Sequence, residues 1–127
     1  MMSLEVESGA SLGVLSEILC FMGASFEISE THVIGNFEIS NCYFVFRRLQ
    51  ASESITAEGA GLGWCVGIGG AFHCRADVLS ESWADIKSFL VNLSKRIELG
   101  FVLSFQYESI YAIRDGGDVV FVKQMVE

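Results

Sequence analysis

Proline is absent from this chain of 127 residues, and positively charged residues are scarce. The lack of proline excludes proline-rich linkers, stiff hinges and polyproline ligands. Eight Lys and Arg residues stand against sixteen Asp and Glu residues, which gives a net charge of −8. A nucleic-acid-binding protein needs a basic surface that displaces counterions from the phosphates. The composition therefore argues against nucleic acid and anionic membranes as partners and favours a basic partner, although the same charge also keeps an apolar domain soluble.

The apolar run at residues 12–24 lacks the features of a signal peptide. Glu5 and Glu7 precede it where a signal peptide carries basic residues, and Glu17 interrupts it. The run is also too short to span a bilayer. We therefore expect a cytoplasmic protein that makes no membrane contact.

The four cysteines, at positions 20, 42, 65 and 74, form no C-x-x-C pair. Free cysteines with apolar neighbours in a cytosolic chain are usually core thiols, so we predict that all four are reduced and structural. A zinc site would need Cys65, His73 and Cys74 together. Because side chains alternate between the faces of a strand, Cys74 lies on the face opposite Cys65 and His73. We therefore predict neither a metal site nor a catalytic pair of Cys74 and His73.

Apolar residues at helical spacing predict two helices. Ser11 is a suitable N-cap for the first helix, and Gly23 stands where a left-handed residue ends it. The second helix is predicted to begin at Ser82, with Asp85 close to a capping-box position, and to end before Gly100.

Alternating apolar and polar residues predict strands around these helices, at residues 26–29, 32–39, 42–46, 64–78, 101–108, 110–114 and 119–126. Residues 50–63 are predicted to form a mobile loop, and Asp115-Gly116-Gly117-Asp118 a hairpin turn. Short connections predict an α+β fold, a mainly antiparallel sheet with two helices packed on it. The length suits a single domain, residues 1–127, in which residues 1–10 are polar enough to be disordered.

The predicted core consists of apolar residues whose spacing agrees with the predicted helices and strands. They are Leu15, Ile18, Phe44, Phe46, Trp64, Ile68, Phe72, Trp83, Ile86, Leu90, Leu93, Phe101, Leu103 and Phe105.

The glycines between positions 59 and 70 match neither G-x-x-x-x-G-K-[ST] nor G-x-G-x-x-G, so they predict no phosphate-binding loop. Asp115 and Asp118 form the most obvious carboxylate pair, but they flank a turn, where aspartates usually accept backbone hydrogen bonds. We therefore predict a protein that binds another protein and has no enzymatic activity and no cofactor.

The chain resembles the small cytosolic immunity proteins of bacterial contact-dependent growth-inhibition and other polymorphic toxin systems. The resemblance lies in the short acidic α+β layout, the lack of a catalytic motif and the helix Trp83-x-x-Ile86-x-x-Phe89-Leu90-x-x-Leu93, which leads through Gly100-Phe101 into an alternating strand. It covers the layout of most of the chain. It implies neutralisation of a cognate toxin domain by tight binding, and an acidic inhibitor suits a basic toxin.

Acidic residues in the predicted loops are the candidate partner-binding groups, because binding residues concentrate in loops. They are Glu53 and Glu58 in the glycine-rich loop, Asp77 and Glu81 before the second helix, and Asp115 and Asp118 in the hairpin. The alternative for each of them is a solvated loop acid.

Two other classes of protein fit the sequence. An acidic secretion chaperone of the type III effector class has a similar order of elements but usually closes with a third helix, whereas residues 119–126 are predicted as a strand. A small ligand-binding or enzymatic domain would use the strand face that carries Gly67, Gly69 and Ala71 as a pocket.

Overall fold

In the computed structural model, which describes residues 1–126, the chain forms an eight-stranded antiparallel sheet with two helices packed against it. The elements are β1 (Met2–Glu7), α1 (Leu12–Phe21), β2 (Ser25–Ile28), β3 (His32–Asn36), β4 (Tyr43–Ser54), β5 (Cys65–His73), a 3₁₀ turn (Ala76–Val78), α2 (Leu79–Arg96), β6 (Phe101–Phe105), β7 (Ser109–Arg114) and β8 (Val120–Phe121). The strand order is β2-β3-β4-β5-β1-β6-β7-β8. The predicted α+β class is confirmed.

The core lies between the sheet and the two helices and is rich in phenylalanine. Phe46 of β4 stacks on Phe89 of α2 with ring centroids 5.3 Å apart, and Phe72 of β5 meets the same ring edge-on. Of the predicted core residues, Trp64 is only half-buried and Phe105 is 40% exposed. Both lie at the end of a strand, since Trp64 directly precedes β5 and Phe105 is the last residue of β6.

The first strand corrects the prediction that residues 1–10 are disordered. β1 lies in the centre of the sheet, between β5 and β6. Leu4 and Val6 point into the core, while Ser3 and Glu5 are buried on the opposite face of the sheet. The polar residues of this segment suggested disorder because a buried strand usually carries apolar residues on its covered faces. Here a loop from a distant part of the chain covers the face that carries Ser3 and Glu5.

That loop follows β4, which continues to Ser54, beyond the predicted strand at residues 42–46. Residues 50–54 are therefore strand, and the segment after them crosses the face of the sheet that the helices leave open. Its backbone amides at Thr56 and Ala57 donate to the two carboxylate oxygens of Glu5, at 2.7 and 2.9 Å. A buried carboxylate thus holds the loop against the sheet.

Helix α1 is as predicted. The Ser11 hydroxyl accepts a hydrogen bond from the Val14 amide at 3.2 Å, and Gly23 has a positive φ of 76°. Helix α2 begins at Leu79, earlier than predicted, and Ser82 is buried inside it. The short polar side chain of Ser82 indicated a cap because such residues are usually found at helix starts.

The hairpin at residues 115–118 is confirmed, since β7 and β8 pair antiparallel on either side of it. The last strand is much shorter than the predicted residues 119–126. Strands β3 and β5 also end earlier than predicted, at Asn36 and His73. Within residues 1–126 no helix combines the length and the apolar character that crossing a bilayer requires.

Candidate functional site

The six acidic residues predicted to bind a partner are all exposed, but the structure does not bring them together. The strand register places Glu53 and the hairpin with Asp115 and Asp118 at one end of the sheet, where Ser54 pairs with Cys65 and Phe101 with Arg114. We call this the hairpin end.

The other members of that set lie toward the opposite end of the sheet, where Tyr43 pairs with His73. Asp77 stands in the 3₁₀ turn and forms an ion pair with Arg75 at 3.1 Å. Glu81 belongs to the first turn of α2, not to a loop before it, and the Glu58 amide bonds to the Tyr107 carbonyl at 2.8 Å. Glu53 also lies in a strand, not a loop.

Two large apolar side chains are more exposed than any others of their kind in the described residues. Phe21, the last residue of α1, and Ile39, in the turn after β3, are each 79% exposed. Ile39 was predicted to be the last residue of this strand, on the same face as Val33 and Phe37. The chain instead turns after Asn36, with the Asn41 amide bonded to the Phe37 carbonyl at 3.0 Å, and Ile39 points to solvent.

Two contacts join this turn to the helices. The Glu38 carboxylate lies so close to Gly23 that a Cβ there would be 2.8 Å from its Oε2 atom. The Ser40 amide donates to the Asp85 carboxylate of α2 at 3.1 Å. The end of α1, the β3–β4 turn and the first half of α2 therefore meet at one corner of the molecule.

We define the corner surface as Phe21, Glu38, Ile39 and Glu81. Glu81 belongs to it because it lies one helical turn before Asp85, on the same side of α2. Two exposed apolar residues and two exposed acids thus lie on three elements that meet at one corner. The sequence signal for this surface was the position of two apolar residues. Phe21 ends α1 outside its buried stripe, and Ile39 lies in a turn.

Most exposed carboxylates have no cationic partner within residues 1–126. The ion pairs there are Arg75–Asp77 and Arg96–Glu17. The exposed acids outside these pairs are Glu27, Glu30, Glu38, Glu53, Glu58, Glu81, Glu98, Glu108, Asp115 and Asp118. The negative field is therefore a property of the whole surface, and the corner surface differs from the rest in carrying the two most exposed large apolar side chains of the described residues.

A second candidate is a groove of about 600 Å³ on the sheet face opposite the helices. Gly69 and Ala71 lie in its lining, as the pocket hypothesis expected, but Gly67 does not, because the Ser8 backbone packs closely against it. Arg47 and His73 supply polar groups. The Glu5 carboxylate in the lining is already bonded to the loop that follows β4.

The cysteines do not all lie in the core. Cys20 and Cys65 are exposed, which corrects that part of the prediction, while Cys42 is buried and Cys74 half-buried. Cys65 and His73 stand at opposite ends of β5, so the zinc ligands considered from the sequence are not brought together. In the part of the chain that the structure describes, no three His, Cys, Asp or Glu side chains are grouped as metal ligands.

Comparison with protein-family models, with curated proteins and with solved structures yields no match.

Proposed function

We propose that the chain is an immunity protein that binds and neutralises a cognate toxin domain through the corner surface. The observation that carries the proposal is that Phe21 and Ile39, each 79% exposed, stand on two of the three elements that meet at this corner, where Glu38 lies against Gly23 and Ser40 bonds to Asp85. Exposed apolar side chains grouped within a polar surround are typical of protein interfaces. In such interfaces a few buried apolar anchors supply most of the binding energy, and the polar rim excludes water.

The partner expected for this surface is a basic protein domain with an apolar depression. The corner surface contains no Lys or Arg, and the excess of exposed carboxylates extends over the molecule. A surface of one sign accelerates encounter with a partner of the other sign, and the acceleration falls as salt is added. A nucleic acid partner is disfavoured by the same charge.

The six acids predicted from the sequence contribute unequally to this proposal. Glu81 lies in the corner surface, and Asp77 lies just before the helix that carries it. Glu53, Asp115 and Asp118 stand at the hairpin end, where they add to the field without touching the same partner surface. Glu58, whose amide bonds to the Tyr107 carbonyl, also lies outside the corner surface and adds only to the field.

A secretion chaperone or a small ligand-binding domain are the alternatives. A chaperone would bind an extended segment of an effector instead of a folded toxin. A ligand-binding domain would use the groove that contains Arg47 and His73. The experiment below separates these cases, since neither alternative requires the corner surface to meet a folded basic domain.

The test is binding to the toxin domain encoded beside this chain, measured as association and dissociation rates at low and high salt. We expect Ile39→Ser and Phe21→Ser to speed dissociation at least tenfold, and Glu81→Lys to slow association at low salt. Val120→Ser is the matched apolar control, because Val120 is 57% exposed on β8, far from the corner. Asp118→Lys is the charge control at the hairpin end.

If only Asp118→Lys weakens binding of the toxin domain, the interface lies at the hairpin end and not at the corner surface. Tight binding unaffected by any of these variants would remove the corner surface from the proposal. Failure to bind the toxin domain, with no protection of cells that express it, would overturn the immunity function itself.

A further inference from the structure

A pair of thiols lies at the end of the contact between β4 and β5. Tyr43 pairs with His73 in the register of these strands, so Cys42 and Cys74 directly face each other beyond that pair. Their sulfur atoms are 3.5 Å apart. A disulfide needs a sulfur–sulfur distance of about 2.05 Å, so a shift of roughly 1.5 Å would close the bond.

The two thiols differ in their access to solvent. Cys42 is fully buried, whereas Cys74 lines a cavity of about 290 Å³ that also contains Met1, Phe105 and Tyr111. Met1 and Phe105 are themselves exposed, so the cavity opens to the surface. A small reagent can therefore reach Cys74 and not Cys42.

The surroundings make Cys74 the more acidic thiol. Its pKa is lowered to about 7, chiefly because the Cys42 thiol donates a hydrogen bond to its sulfur, with smaller contributions from the Ser82 hydroxyl and the N-terminal amine, while burial opposes the change. The pKa of Cys42 is raised by the same hydrogen bond, by burial, and by the charges of Cys74 and Asp85.

The Ser82 hydroxyl is the third polar group of this cluster. It is buried inside α2, beside both sulfurs, and forms no hydrogen bond of ordinary length with any residue from 1 to 126. A buried polar group in that position is costly unless it meets a charged or polar neighbour. A thiolate on Cys74 would provide one.

We propose that Cys42 and Cys74 are a redox-active pair, which hydrogen peroxide entering through the cavity converts to an intramolecular disulfide. The Cys74 thiolate attacks one peroxide oxygen, the oxygen–oxygen bond breaks, and the departing hydroxide takes a proton to become water. The product is a sulfenic acid on Cys74. The Cys42 sulfur then attacks the Cys74 sulfur, the sulfur–oxygen bond breaks, and the hydroxide leaves as water with the Cys42 proton. Two thiols lose two electrons, and one peroxide becomes two waters.

The proposal is independent of the toxin-binding function. In a reducing cytosol the resting form is the dithiol, which agrees with the expectation that the cysteines are normally reduced. Oxidation would add a covalent link at the base of the β3–β4 turn, because the Cys42 amide donates to the Ser40 hydroxyl at 3.1 Å.

The experiment uses the full chain with Cys20→Ser and Cys65→Ser, which removes the two exposed thiols. After treatment with hydrogen peroxide and quenching, intact mass and a peptide map without reductant are recorded. We expect a mass lower by two hydrogen atoms, a linked peptide pair containing Cys42 and Cys74, and full reversal by dithiothreitol.

Two further variants identify the roles. With Cys42→Ser added, Cys74 should accumulate as sulfenic acid that dimedone traps. With Cys74→Ser added, Cys42 should stay reduced at the same peroxide concentration, because it has no access to the reagent. Circular dichroism before treatment confirms that each variant is folded. Oxidation of Cys74 to sulfinic acid while Cys42 remains a free thiol, or equal oxidation of Cys42 in the Cys74→Ser variant, would overturn the proposal.

Discussion

Replacing Arg114 with Met should destabilise the fold by several kcal/mol, although Arg114 lies near the sheet edge and makes no ion pair in residues 1–126. Arg114 is 7% exposed, and within residues 1–126 its guanidinium donates to backbone carbonyls only. The acceptors are Gly117 at 2.6 Å, Ile97 at 2.6 Å, Leu99 at 2.9 Å and Ser94 at 3.3 Å. One side chain thus joins the end of α2, the loop before β6 and the hairpin after β7.

The magnitude follows from those bonds. A hydrogen bond to a charged group contributes about 1.5–3 kcal/mol, so the three short ones contribute roughly 4.5 kcal/mol at the lower limit. The exposed hairpin residues allow water to reach some of the freed carbonyls, which reduces the loss. The bond to Ser94 is long and adds little. We therefore expect Arg114→Met to lower the free energy of unfolding by about 3–5 kcal/mol.

Urea unfolding followed by circular dichroism measures this loss. The control is Arg48→Met, since Arg48 is exposed and has no ion pair among the described residues, and its effect should stay within about 0.5 kcal/mol. Arg114→Lys should recover less than half of the loss, because an ammonium cannot reach carbonyls on three segments at once. A loss below about 1 kcal/mol for Arg114→Met would refute the reasoning, since it would mean that water replaces the guanidinium at no net cost.

The other predictions concern the loop, the core, the thiol and the corner. Glu5→Gln should cost about 1.5–3 kcal/mol in urea unfolding, because an amide has one acceptor oxygen for two backbone amides, and exchange of the Thr56 amide should speed up. Leu90→Ala, at a fully buried position, should cost about 2–5 kcal/mol by the same assay, and an unchanged midpoint would contradict the core assignment. Alkylation of Cys74, measured by mass without Cys20 and Cys65, should be slow at low pH and half-maximal near pH 7, because the thiolate forms as pH rises through its lowered pKa. Ile39→Asp should change stability by less than about 0.5 kcal/mol in thermal unfolding, and a larger loss would show that Ile39 packs in the fold.

Local sequence signals account for the parts of the fold that depend on neighbouring residues. Helix α1 has its N-cap at Ser11 and its left-handed glycine at Gly23, and both effects act within one helical turn. The β7–β8 hairpin follows from adjacent aspartates and glycines in the same way. These elements could be placed from the sequence because their determinants are contiguous.

The parts that could not be predicted depend on contacts between distant residues. Strand β1 was assigned to disorder because Ser3 and Glu5 are polar, yet Glu5 is paired with amides that lie 51 and 52 residues further along the chain. No local pattern reveals such a partner. The thiol pair has the same origin, since Cys42 and Cys74 are separated by 32 residues and meet through the register of β4 and β5.

The corner surface was missed for a different reason, which bears on how it would bind. Phe37 and Ile39 have the same apolar character and strand spacing, and only the turn decides that one is buried and the other exposed. Phe37 is anchored by stacking near Phe44 and Phe72, with ring centroids 5.0 and 6.1 Å away. Because that anchor holds the backbone of the turn before any partner arrives, association needs to order only the side chain of Ile39, which lowers its entropic cost. A rigid apolar anchor of this kind favours slow dissociation, which an immunity protein needs in order to keep a toxin inactive.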